Sequence, residues 1–158
     1  MFDNGVTKQR MAHTLEDVVL ELSDPARITA GIVLLTVVGI ESGGYFLLKV
    51  FGGVFGRRPA TTDLQKSFFR AGHAHAGVLV ILGLLCVLLA EATNLTGFVH
   101  WLAATGVLWA AILMPAGFFF SAMGEGRTTP NRAVVLIPIG ATVLAAGVVT
   151  LAAGLLLG

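Results

Sequence analysis

Four stretches of this chain, roughly residues 26–50, 68–92, 97–122 and 133–157, consist almost entirely of apolar side chains. Each would form a helix about 37 Å long, enough to cross a hydrocarbon core of about 30 Å with some tilt. Helices of a soluble four-helix bundle need a polar stripe on the outward side, whereas residues 32–40 and 78–90 carry no charge on any face. Barrel strands would appear as alternating segments of about ten residues, and the sequence contains none. The pattern predicts an all-α fold: a four-helix transmembrane bundle forming one domain over residues 26–158.

Composition excludes the other classes. Of 158 residues, 56% are hydrophobic and 12% charged, against about a quarter charged in an ordinary soluble domain. That is too little charge to cover a soluble surface and too much apolar surface for disorder. The single cysteine, Cys86, rules out a disulfide framework. A formal charge of +1 leaves no basic footprint for nucleic acid. The expected surroundings are membrane lipid.

Residues 1–25 form an acidic segment, with Asp3, Glu16, Asp17, Glu21 and Asp24 opposed by Lys8 and Arg10. It lacks the apolar run and the cleavage site of a signal peptide. Residues 14–22 read as a short amphipathic helix, capped by Thr14, with Leu15, Val18, Val19 and Leu22 on one face. Ser23-Asp24-Pro25 then supplies an N-cap and a first-turn proline for helix one.

An even number of crossings puts both termini and the turn near Asn94 on one side, with Lys8, Arg10 and Arg27. The other side carries Lys49, Arg57, Arg58, Lys66, Arg70, Arg127 and Arg132. This asymmetry predicts that loops 51–67 and 123–132 are cytoplasmic and both termini outside, in an inner or plasma membrane. Gly140, Gly147 and Gly154 form a small-residue seam on helix four, suited to close packing within the bundle or to a subunit contact. A bundle this small has little lateral surface to enclose a site alone, so a homo-oligomer is expected.

Ionisable side chains within lipid are expensive and mark function by default. Glu41 lies about 14 Å from the end of helix one, and His73 and His75 lie about 8–10 Å into helix two. Tyr45 is one turn beyond Glu41 on the same face. Glu41, Tyr45, His73 and His75 thus form one polar stratum. There the carboxyl group can donate a hydrogen bond, take up a proton or orient a histidine. Gly43 and Gly44 leave room beside it for a bulky group or another helix. His100 and Trp101 lie at the opposite interface, as does Glu91 near a helix end.

In Gly72-His73-Ala74-His75-Ala76-Gly77 the two imidazoles are about 200° apart on a helix, so they cannot share one metal ion. Zinc-type pairs sit three or four residues apart. One imidazole suffices, however, for axial ligation of a planar macrocycle. Gly72, Ala74, Ala76 and Gly77 would let such a group lie flat against the helix. The same residues also suit a proton relay without a cofactor, or two satisfied polar groups in a helix interface. Cys86 reads as packing, and Met114, beside Pro115, as core filler. Phe118, Phe119 and Phe120 read as packing or lipid-facing surface, able to wall an apolar pocket.

The layout resembles that of styrene oxide isomerases. The resemblance rests on four crossings, a long first loop, Arg70-Ala71-Gly72-His73-Ala74-His75-Ala76-Gly77 opening helix two, Gly117-Phe118-Phe119-Phe120-Ser121 closing helix three, and the following Asn131-Arg132. It implies a trimeric membrane protein that binds haem b through a helix-two histidine. Ferric haem would act as a Lewis acid that turns a small apolar aryl epoxide into an aldehyde. His75, followed by a small residue and glycine, matches the ligand position best, with His73 the alternative and Gly72 and Gly77 flanking the cofactor. The family's asparagine on helix two has no counterpart in residues 79–84. Its aspartate and tyrosine on helix three have none in residues 107–120, where Phe119 stands near the tyrosine's place. Tyr45 and Glu41 are the remaining polar groups able to serve the reaction.

Overall fold

The computed structural model describes residues 22–52 and 61–157. The expected amphipathic helix over residues 14–22 falls almost wholly outside them. The described chain is all α: α1 (Asp24–Gly52), α2 (Asp63–Ala90), α3 (Gly97–Ala122), a single 3-10 turn (Arg132–Val135) and α4 (Leu136–Leu157). All four helices are long and apolar enough to span a bilayer, so this is an integral membrane protein.

Local chemistry sets the helix ends. Ser23 caps α1: its hydroxyl accepts the Ala26 N–H at 3.3 Å and its carbonyl the Arg27 N–H at 2.9 Å. Helix two starts five residues before the Phe68 expected from hydropathy. Thr62 and Gln65 form a reciprocal capping box around Asp63, a polar signal that an apolar pattern does not register. His73 and His75 therefore lie ten and twelve residues from the helix start, about 15 and 18 Å. Glu41, eleven residues from the end of α1, is at about 16 Å. The shared level predicted from sequence survives, deeper than expected.

Gln65 is buried, and its amide donates to the Ala122 and Gly124 carbonyls at 3.1 and 2.7 Å. The Thr62 hydroxyl donates to the Arg127 carbonyl. Asn131 accepts the Ala133 N–H at 2.8 Å and donates its amide to the Phe120 carbonyl at 2.8 Å. These bonds satisfy carbonyls at the end of α3 and in the loop that follows it, and they tie the starts of α2 and α4 to that end.

Helix α3 is the centre: half of its apolar window is buried, against 11% for α1. It packs along α2 on one side and α4 on the other. The glycine seam of α4 is used within the chain. Gly140 faces Met114, Gly154 faces Leu95, and Gly147 meets Gly106 backbone to backbone. Helix α1 behaves differently. Among the described residues it packs on α2 alone, through a strict four-three seam of Ala26, Ala30, Val33, Val37, Ile40, Gly44, Leu47 and Phe51.

A Cβ added at Gly147 would stand 3.1 Å from the Gly106 Cα and 3.2 Å from the Leu102 carbonyl oxygen, both backbone atoms that cannot swing aside. Gly147→Ala is expected to cost about 1–3 kcal/mol, read as a lower Tm of the solubilised protein. Gly31→Ala, where nothing lies within 4 Å of the added carbon, should be neutral or slightly stabilising.

Candidate functional site

The polar stratum lies where the first half of α2 meets its neighbours, and its two histidines face different helices. His73 points to α1. A Cβ at Gly44 would come within 2.9 Å of His73 Nε2, and one at Gly43 within 3.9 Å of Nδ1. The two glycines thus admit the imidazole against bare helix backbone. Around it lies a cleft of about 410 Å³, lined by Gly44, Leu47, Leu48, Phe51, Arg70 and His73.

His75 points away from α1. Its ring lies 4.9 Å from that of Phe118 on α3, tilted by 35°. Nδ1 lies 2.7 Å from the Ala71 carbonyl oxygen. A carbonyl only accepts, so Nδ1 carries the hydrogen and Nε2 of the neutral ring keeps its lone pair. Beside the ring is a shallow depression of about 180 Å³, lined by Ala74, His75, Val78 and Leu79. Ala74 and Val78 are exposed, so this shelf opens toward lipid.

The flanking glycines differ. A Cβ at Gly77 would meet nothing within 4 Å, whereas at Gly72 it would be 3.0 Å from the Phe119 ring and 3.1 Å from the Phe118 Cβ. Gly72 is therefore a packing position for α3, and only Gly77 offers open helix surface.

Glu41 and Tyr45 share a face of α1, as their spacing requires, and both are exposed. They sit one residue past the seam positions Ile40 and Gly44, about 100° around the helix. The flank on the other side, with Thr29, Ile32 and Thr36, faces α3. Glu41 and Tyr45 accordingly turn away from α3. The Tyr45 ring lies under Lys49 Nζ at 4.5 Å, and Glu41 makes no hydrogen bond or ion pair among the described residues. One chain brings His73 to Gly43 and Gly44 and His75 to Phe118, but joins neither histidine to Glu41 or Tyr45. No group of three or more metal-ligating side chains is gathered among the described residues. Met114 is buried against Gly140.

A second polar cluster occupies the opposite end. Glu91 Oε2 accepts the Ser23 N–H at 2.8 Å, and Oε1 lies 3.7 Å from His100 Nε2. From sequence, Glu91 and His100 are expected at this interface singly, and Ser23 only as the cap of helix one. They are 68 and nine positions apart, and only folding makes them neighbours. The Ser23 N–H holds the Glu91 carboxyl below the usual carboxylate range, outweighing desolvation, with the Ser23 hydroxyl and His100 acting in the same direction.

Comparisons of the chain with protein-family models, with curated proteins and with solved structures found no match.

Because the folded state lowers the pKa of Glu91, its bond to Ser23 contributes stability above the ordinary carboxylate value of about 4.3. That contribution is lost as pH falls through the lowered folded value. Hydrogen exchange in the first turn of α1, corrected for intrinsic rates, should therefore accelerate on acidification. Glu91→Gln, which still accepts a hydrogen bond but does not titrate there, should remove the pH dependence.

Proposed function

We propose that this membrane protein binds haem b through His75. One observation carries the reading: the Nδ1–H bond to the Ala71 carbonyl orients the ring and leaves Nε2 free for a single axial bond. The residues around it fit such a group. Ala74 and Val78 form an apolar shelf beside it, and Phe118 packs on the ring. His73 stands against the bare backbone of α1 at Gly43 and Gly44 and serves packing in this reading.

The resemblance to styrene oxide isomerases extends the proposal to a non-redox rearrangement of an apolar epoxide to an aldehyde. Bound ferric haem would supply Lewis acidity toward the epoxide oxygen. The chain's own part is to admit the substrate sideways from lipid, exclude water and hold the imidazole rigid. Glu41 and Tyr45 lie on an outward flank, so they serve this site from a neighbouring copy in a homo-oligomer. There Tyr45 donates a hydrogen bond and Glu41 relays a proton. In this reading both termini are outside and the loops beyond α1 and α3 cytoplasmic.

An absorption spectrum of the purified protein after haem supplementation tests the proposal. A Soret band is expected, lost in His75→Ala and kept in His73→Ala. No band in the wild type overturns haem binding and leaves a cofactor-free structural or assembly subunit as the alternative, and a band surviving both substitutions moves the ligand elsewhere. Conversion of an aryl epoxide to an aldehyde without reductant separates an isomerase from an electron-transfer subunit. Glu41→Gln and Tyr45→Phe should each lower that turnover about 10²–10³-fold while leaving the Soret band in place.

A further inference from the structure

Among the described residues, helices α1 and α3 both pack closely on α2, but their backbones do not pack on each other. On α2 the α1-facing residues His73, Ala76 and Val80 and the α3-facing residues Gly72, Leu79 and Gly83 lie on adjacent sides. The angle between them leaves a groove with α2 as its floor. Its deep part, about 360 Å³, is walled by Ile32, Thr36 and Ile40 of α1 and by Leu108, Ala111 and Ile112 of α3. At Thr29 it meets a second cleft of about 280 Å³ that ends at Ser23, Glu91, His100 and Trp101. The two clefts adjoin at Thr29, the deeper one apolar and the outer one polar at its mouth.

Its dimensions are those of one lipid chain. From Thr29 to Ile40 the groove runs about 16 Å along α1, close to half of a hydrocarbon core of about 30 Å. That is the depth reached by an acyl chain of one leaflet. The walls stand open to the bilayer, with Ile32 59% and Ile112 60% exposed, so an occupant enters sideways from lipid. Trp101 sits at the mouth, where indole rings favour the headgroup level. Glu91 Oε1, 3.7 Å from His100 Nε2, is beyond hydrogen-bond reach of that ring and can accept from an occupant.

We propose that this groove binds one phospholipid with a primary-ammonium headgroup, from the leaflet on the side of the turn between α2 and α3. One acyl chain fills the groove from Thr29 to Ile40, and the ammonium donates to the Glu91 carboxylate. Charge complementarity selects the headgroup. A quaternary ammonium has no hydrogen to donate, and a glycerol headgroup would bring its net negative charge to a carboxylate. The headgroup end of the groove lies about 24 Å along α2 from His75, and lipid binding there does not depend on haem.

Native mass spectrometry of the solubilised full chain, with phosphatidylethanolamine, phosphatidylcholine and phosphatidylglycerol of identical chains in equal amounts, tests it. The wild type should retain one phosphatidylethanolamine about tenfold better than either competitor. Glu91→Gln should abolish that preference. Thr36→Trp, a change at an exposed wall position that does not alter the core, should reduce retention of all three lipids. Equal retention of the three by the wild type, an unchanged preference in Glu91→Gln, or wild-type binding by Thr36→Trp would each overturn the proposal. So would a photo-crosslinker at Ile112 that captures a second copy of the chain instead of lipid.

Discussion

Hydrocarbon offers a helix neither a hydrogen-bond partner nor a hydrophobic reason to associate, so close packing must hold the bundle together. Here glycine provides it. Gly72 admits the Phe118 and Phe119 side chains, Gly83 admits Leu108, Gly117 admits Ile137, and Gly106 and Gly147 let two backbones meet. Each contact involves α3, which is why α3 is central. The same constraint explains the loose position of α1. Its seam on α2 contains one close-approach glycine, Gly44, and the room it leaves is taken by His73. Helix α1 is therefore held along one line and leaves a groove on the side facing α3.

Polar groups complete the ends where packing stops. Gln65 and Asn131 close carbonyls at the end of α3, and Thr62 bonds the Arg127 carbonyl in the loop beyond it. At the other face Glu91 holds the start of α1 through the Ser23 N–H. A helix with so little lateral packing relies on such an anchor more than its neighbours do, and the anchor is titratable. The groove, the loose helix and the carboxylate that tethers it are consequences of one arrangement.

The polar stratum was readable from sequence in its level and in the divergence of its histidines, because rise per residue and turn angle are properties of any α-helix. What each histidine meets was not readable. Gly72, which looks like Gly77 as a bare position beside an imidazole, is covered by two phenylalanines. Glu41 and Tyr45 share the depth of the histidines yet turn outward, since the direction of a flank depends on which neighbour the seam contacts. The pairing of Glu91 with His100 and Ser23 carried no sequence signal, because no local periodicity links three different elements.

By itself, the sequence determined the membrane, the number of crossings, the helix-one cap and the shared level of Glu41, Tyr45 and the two histidines. These follow from apolar length, local capping chemistry and helix geometry, which act within single segments. The tertiary structure alone decided that the α4 glycines pack inside the chain, that α2 begins at Asp63 tied to the end of α3, and that α1 stands apart. It also made a groove of two clefts and a polar mouth of residues remote in sequence. Those outcomes depend on which small residues meet across helices, and that is settled only when the backbones are brought together.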